Sequence, residues 1–259
     1  MISIKNKIFT KEDILKIGKI IKGVHDDCIN ESIRERREKF PDSDPAEIEQ
    51  RYYGRFKVEL ERADGTTDTD DSIDLLISNE SILDSKKVSS IRIQFSSRSE
   101  SKSIVARITE GDGNYSTVSI SGDDLTWFNT VVTNITEALE DVRPQNNFIY
   151  KHKNIFSIIF SLMLTAISSI SLLMIFDILG MDFKESSKND TFIILGVLMA
   201  VASSTIWQLI VEKIMGPLWK SIEFDFGPDH LKVNKKRTMY NYAIVAFIFP
   251  VLLFVLSKL

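Results

Sequence analysis

Three apolar runs in the last third of the chain constrain its fold more than any other feature. They cover residues 155–179, 191–211 and 240–256, and small or hydroxyl side chains account for most of their interruptions. A helix needs about 20 apolar residues to cross a hydrocarbon core of about 30 Å, so each run is long enough, the third only just. The sequence therefore predicts an α-helical transmembrane domain of three spans over residues 151–259.

The first 150 residues differ in composition from this C-terminal part. They contain 21 lysines and arginines against 28 aspartates and glutamates, whereas the remainder contains 11 against 8. Generic nucleic-acid binding needs a basic face, so the acidic balance argues against it, although a local basic pocket stays possible. Cys28 is the single cysteine, which excludes an intrachain disulfide and fits a reducing compartment. Residues 1–150 are thus predicted to form a separate domain outside the membrane.

The distribution of basic residues around the apolar runs predicts the orientation. Nine lysines and arginines flank the runs on the side of the N-terminal domain and the second loop, against three on the other side. The positive-inside rule then places a multi-pass protein in the inner (plasma) membrane, with its N-terminal domain in the cytoplasm and its C-terminus outside. Trp219 is expected at the lipid headgroups, and the cluster Lys235, Lys236 and Arg237 against anionic lipid.

Two helical patterns enclose a region of alternating residues in the N-terminal part. Thr10 and Asp13 have capping-box spacing before an apolar stripe that predicts a helix to about Lys39, and a short helix is expected over residues 44–50. Asp123 and Asp124 precede a second stripe, at Trp127, Val131, Ile135, Leu139 and Val142. Between them, apolar residues alternate with polar ones at 56–60, 73–77, 91–95, 104–108 and 118–120. The prediction is an α+β domain of helix, antiparallel five-stranded meander and helix.

Chemical motifs are absent from the sequence. The only histidines are His25, His152 and His230, and no nucleophile–base set, zinc spacing or phosphate-binding glycine loop accompanies them. The stretch His25–Cys28 has metal-binding residue types on successive helical positions, which do not face one another. We therefore expect no enzyme activity, no catalytic residue, no metal and no cofactor.

The second apolar run carries small and polar residues at every fourth position. Gly196, Ala200, Ser204, Gln208 and Glu212 share one helix face. Small residues at this spacing allow close helix packing, which is the expected role of Gly196 and Ala200. Polar groups in a span face a partner helix or water, so Ser204, Gln208 and Glu212 are either packing residues or the lining of a pore in an oligomer.

The alternation of the strands also predicts a register in which two arginines face each other. If Phe95 pairs with Ile104, Arg92 lies opposite Arg107 on the outer face of the sheet. Like charges in that position destabilise a sheet by up to about 1 kcal/mol unless an anion or a carboxylate lies between them. A bound nucleotide or oligonucleotide would serve, as would Glu59 or Glu61.

The arrangement of a small cytoplasmic domain before membrane spans resembles the membrane effectors of bacterial anti-phage defence. That resemblance implies a sensor domain that controls the spans of an oligomer. The leading hypothesis is therefore a homo-oligomeric, ligand-controlled channel or membrane-disrupting effector in the lipid bilayer. The alternative is an adaptor anchored at the inner membrane, whose soluble domain binds a protein partner and which forms no pore.

Overall fold

The computed structural model describes residues 1–41, 55–77, 87–97, 101–112, 115–146, 148–178, 190–228 and 230–243, together with residues 246 and 250. The side chains of residues 77, 172–178, 190–197, 200 and 243 are not among those described. The predicted helix over residues 44–50 lies outside the described residues. Most of the third predicted span, residues 240–256, does so as well.

The described part of the chain contains eight strands and seven helices. The strands are β1 (Ile2–Ser3), β2 (Lys7–Phe9), β3 (Arg55–Arg62), β4 (Thr67–Asp70), β5 (Val88–Ser96), β6 (Ser103–Thr109), β7 (Thr117–Ser121) and β8 (Ile222–Phe224). The helices are α1 (Lys11–Lys39), α2 (Asp74–Ile77), α3 (Leu125–Asp141), α4 (Phe148–Lys151), α5 (Lys153–Ile178), α6 (Asp190–Leu218) and α7 (His230–Ala243).

Six strands form one antiparallel sheet in the order β1-β7-β6-β5-β3-β4. The predicted five-stranded meander is therefore wrong in strand number and in order. β5 pairs with β3 and not with its sequence neighbour β4, and the N-terminal β1 adds a sixth strand beside β7. Four of the predicted strands, at 56–60, 91–95, 104–108 and 118–120, lie within β3, β5, β6 and β7.

The segment 73–77, predicted as a strand, contains the helical turn α2 instead. The Ser72 Oγ accepts a hydrogen bond from the Asp74 backbone N at 3.0 Å, and Asp70 Oδ1 accepts one from the Ser72 N at 2.9 Å. Such local side-chain bonds satisfy backbone donors that a sheet ladder would otherwise use. The edge strand β4 precedes this turn and consists only of threonine and aspartate, which is a common way to protect a sheet edge.

The two long helices of the N-terminal part begin as predicted. Thr10 and Asp13 form a reciprocal capping box at the start of α1. Asp124 caps α3, accepting hydrogen bonds from Thr126 N and Trp127 N. α1 packs against β5 and α3 against β7, and the alternating apolar residues of the strands are buried beneath them.

One short strand from the C-terminal part completes this core. β8 pairs in parallel with β2, and both Ile222 and Phe9 have no exposed surface. Residues 220–226 were predicted to be part of a membrane loop. They belong instead to the same hydrophobic core as the sheet, since Ile222 and Phe224 pack with its buried residues.

The predicted three-span domain is also wrong. Among the described residues, only one helical segment, Lys153–Ser171 of α5, is long and apolar enough to cross a membrane by its length and composition. The second run lies in α6, which continues to Leu218 and carries exposed Glu212 and Lys213. The start of the third run belongs to α7, which already begins at His230 and has a polar sequence.

The chain divides into two compact units. One contains Met1–Gln145 together with β8 and α7, and the other is Asn146–Trp219. The first unit thus has two chain segments, and the second is inserted between them. In the second unit α5 and α6 pack against each other, and Ser157 and Ser161 of α5 are buried.

Candidate functional site

The open face of the sheet carries the arginine pair that the alternation predicted. Arg92 and Arg107 are directly paired across β5 and β6, with Phe95 opposite Ile104 in the same ladder. The predicted register is therefore confirmed. Cα atoms of residues paired in this way are about 5 Å apart, so two guanidinium groups extend from neighbouring positions.

A carboxylate does lie next to this pair, as the second interpretation required. Glu59 of β3 is directly opposite Arg92, with Arg92 Nη1 3.6 Å from Glu59 Oε2. The same carboxylate accepts a hydrogen bond from Lys57 Nζ at 2.6 Å. Glu59 is thus shared between two cations. Arg107 is exposed, and none of the described carboxylates lies within ion-pair distance of it.

A second cluster, which the sequence did not reveal, joins the two segments of the first unit. We call it the joint and define it as Asn6, Asp112, Gln145, Lys220 and Ser221. Asn6 N donates to Ser221 Oγ at 3.1 Å, and Ser221 N donates to Asp112 Oδ1 at 2.8 Å. Gln145 N donates to Asn6 O at 2.8 Å, and Gln145 Nε2 donates to Lys220 O at 3.2 Å.

The joint holds together the points where the chain leaves and re-enters the first unit. Gln145 is the last residue before the inserted helices and Lys220 the first after them. Gln145 and Ser221 are both buried. Asn6 has a φ of 56°, a left-handed conformation that asparagine tolerates better than most residues. Only the tertiary structure brings these residues together, because they are far apart in the sequence.

Ion pairs reinforce β8 and the start of α7. Glu223 Oε1 accepts a hydrogen bond from Arg237 Nη2 at 2.6 Å, and Lys220 Nζ lies 2.9 Å from Glu110 Oε2. Asp225 contacts both His230 and Arg143, with the Arg143 Nη2 at 2.7 Å. Burial raises the pKa of Glu223 above its ordinary value, although the charge of Arg237 opposes that shift.

The residues predicted for the membrane interface occupy different environments. Trp219 is only 1% exposed. Arg237 is bound to Glu223, whereas Lys235 and Lys236 are exposed on α7. A lipid contact of the two lysines remains a prediction.

The polar residues of α6 differ in their exposure to solvent. Ser204 is half-buried, while Gln208 and Glu212 are exposed and joined by a hydrogen bond of 3.1 Å from Gln208 Nε2 to Glu212 Oε1. Gly196 and Ala200 lie in the same helix, and their side chains are outside those described.

The contact between α5 and α6 uses neighbouring residues that the stripe did not include. Ser168 Oγ of α5 lies 3.4 Å from Ser203 Oγ and accepts a hydrogen bond from Trp207 Nε1 at 3.3 Å. Gln208 and Glu212 therefore stay available on an exposed part of the helix.

The described residues contain no cluster of three or more histidine, cysteine, aspartate or glutamate side chains suited to a metal ion. The buried His25 contacts the rings of Phe56 and Phe95 and lies 2.8 Å from Asp26 Oδ1. Partial burial by itself would raise the pKa of Asp26, but the interactions with Lys22 and His25 together lower it. These contacts are those of a residue packed in the core.

Comparison with known proteins gives no family for this chain. No protein-family model matches it, and neither a curated protein nor a solved structure is detectably similar to it.

Proposed function

We propose that this chain is a homo-oligomeric membrane protein in which the α+β domain senses a ligand and controls the inserted helices, as a ligand-controlled channel or membrane-disrupting effector. The observation that supports this proposal is the joint. It holds Gln145 and Lys220, the residues on either side of the inserted Asn146–Trp219 segment, in one hydrogen-bonded cluster of the sheet domain. A ligand that shifts the sheet domain would therefore act on both ends of the helical segment at once.

The exposed polar pair on α6 supports a role for an oligomer. Gln208 and Glu212 bond to each other, and within one copy they lie outside the serine contact between α5 and α6. Polar groups on a membrane helix are stabilised by facing another helix or a water-filled path. Several copies arranged around these residues would provide such a path, with Ser204 as a further lining residue.

The apolar segment of α5 supports placement in a membrane. Lys151 and Lys153 flank the start of this segment, and by the positive-inside rule we place the protein in the inner membrane with its α+β domain in the cytoplasm. Bacterial anti-phage defence is a setting that fits a sensor domain joined to membrane helices, and it rests on that layout alone.

Membrane potential tests this proposal directly. Bacteria induced to express the full chain are expected to lose potential-dependent dye fluorescence. Gln208→Ala and Glu212→Ala should reduce that loss severalfold, and Gln145→Ala should do so by loosening the joint. Thr205→Ala removes an exposed polar group from the same helix and serves as the matched control.

The outcome separates a pore from a simple anchor. If the Gln208 and Glu212 variants act like the parent, the assignment of these residues to a pore fails. If membrane-inserted protein leaves the potential unchanged, the chain is either a channel that stays closed without its ligand or the adaptor of the alternative, and the adaptor gains support. It is favoured independently by the polar and partly exposed face of the sheet, which a protein partner could cover. An adaptor would keep its partner when the polar residues of α6 are replaced.

A further inference from the structure

The open face of the sheet is basic although the N-terminal part of the chain is acidic. Along β3, β5 and β6 this face presents four cations and two carboxylates: Arg55, Lys57, Arg92, Arg107, Glu59 and Glu61. Glu59 is already shared between Lys57 and Arg92. An excess of positive charge therefore remains where Arg92 and Arg107 face each other, and an external anion would neutralise it.

The size of the basic region limits the anion that it can hold. In the row that runs across the strands, Arg92 and Arg107 are followed by Thr117 on one side and by Glu59 on the other. A long polyanion laid along this row would meet the Glu59 carboxylate. One or two phosphate groups would span only the two guanidinium groups, each of which can donate two parallel hydrogen bonds to a phosphate.

The residues around the pair favour recognition of phosphate over recognition of a base. Thr117, Ser119 and Gln94 are neutral hydrogen-bonding residues on the same face, and all three are at least partly exposed. The side chains of β3, β5, β6 and β7 on this face include no aromatic residue. Stacking of bases, on which most single-stranded nucleic-acid binding depends, has no platform among these strands.

We infer that Arg92 and Arg107 form the binding site for a compact, soluble phosphate-bearing molecule with one or two adjacent phosphate groups. This inference rests on the proposed function, since the molecule would be the ligand that the α+β domain senses. Glu59 acts as an internal competitor that holds Arg92 in the unliganded protein. Binding of the phosphate transfers Arg92 from the carboxylate to the ligand.

Calorimetric titration of the full chain with inorganic pyrophosphate tests the site. The protein is held in discs of zwitterionic lipid, whose headgroups carry no net charge, at about 0.15 M salt, where the Debye length is about 8 Å. Arg92→Gln and Arg107→Gln should each weaken binding about tenfold or more, because each removes a charge-assisted interaction. Glu59→Gln should tighten binding severalfold, because it removes the competitor.

Arg55→Gln is the matched control. Arg55 is on the same face but four residues along β3 from Glu59, which is about 13 Å away at the usual rise per residue. The affinity of Arg55→Gln for pyrophosphate should stay within about twofold of that of the parent, because this distance exceeds the Debye length. Unliganded Arg107→Gln should unfold at the same or a higher temperature than the parent, which shows that any loss of binding is not a loss of folding.

Three results would overturn the inference. They are no binding of pyrophosphate by the parent, equal affinity in the parent and both arginine variants, and weaker binding in Glu59→Gln. Binding of the chain to vesicles of anionic lipid without binding of pyrophosphate would assign the face to a membrane surface instead. Depolarisation by the full chain is measured in a separate experiment. A chain that does not bind pyrophosphate can therefore still prove to be a channel, and a chain that does not depolarise the membrane can still prove to bind phosphate.

Discussion

Single residues carry two kinds of electrostatic conflict in this protein. Arg92 and Arg107 lie opposite each other on an open face, where water reduces the cost of their repulsion. Glu223 has the opposite difficulty, because it is partly buried and so loses hydration of its charge. A bound anion would reduce the repulsion between Arg92 and Arg107. The cost of burying the Glu223 charge is offset by Arg237 within the fold.

The buried position of Glu223 predicts how stability depends on pH. Its pKa is raised in the folded state, so its contribution to stability is fully present below the ordinary glutamate pKa and is lost as pH rises through the folded value. The difference in unfolding temperature between the parent and Glu223→Gln should therefore favour the parent most at the acid end. That advantage should shrink as pH increases from about 4.5.

Thermal unfolding followed by tryptophan fluorescence in detergent, from pH 4 to pH 8, measures this difference. Other titrating groups affect the unfolding temperatures of both proteins equally, so their effects cancel in the difference. An advantage of the parent that grows with pH would show that the ion pair with Arg237 dominates over burial.

Secondary-structure elements differ in how much of their stability is local. α1 and α3 have caps and apolar stripes within their own sequences, so each is specified over a short stretch. β8 has only three residues, and it forms because β2 offers a parallel partner and a place in the core for Ile222 and Phe224. β8 thus depends on contacts that are remote in the sequence.

This dependence predicts a large cost for truncating β8. Ile222 is completely buried, so Ile222→Ala should lower the free energy of unfolding by about 2–5 kcal/mol through lost burial and an unfilled cavity. Leu231→Ala removes an aliphatic side chain that is 75% exposed on α7, so it should change the free energy of unfolding by less than about 0.5 kcal/mol. Denaturant unfolding in detergent measures both, and similar effects of the two variants would argue against a structural role for β8.

At the level of the whole molecule, the fold fixes which segments belong to one compact unit. β8 and α7 belong to the same unit as the sheet, so the proposed membrane arrangement requires Lys235 and the sheet to lie on the same side. Cys28 is buried and is the only native cysteine, which leaves a low background for chemical labelling.

Cysteines introduced at exposed positions test this arrangement. Ser119→Cys in the sheet and Lys235→Cys in α7 should both react with a membrane-impermeant maleimide in inside-out vesicles and not in intact spheroplasts. The parent chain, with Cys28 alone, should react in neither preparation. Labelling of the two positions from opposite sides would contradict the single compact unit.

The arginine pair and the caps could be predicted because they depend on spacing over a few residues. A two-residue period places Arg92 and Arg107 on one face once the hairpin is assumed, and Thr10 reaches Asp13 within one helical turn. The turn at 74–77 was misjudged for the same reason. Its alternating Ile73, Leu75 and Ile77 look like a strand until the hydrogen bonds of neighbouring side chains are known.

The sequence by itself determined the helices α1 and α3, the alternation of the central strands and the presence of long apolar runs, because each is a regular pattern along neighbouring residues. Only the tertiary structure decided the order of the strands, the addition of β1 and β4 at the edges and the return of residues 220–224 to the core. The joint belongs to this second group. Its hydrogen bonds connect Asn6 with Ser221, and a local sequence pattern cannot predict a contact between residues 215 positions apart.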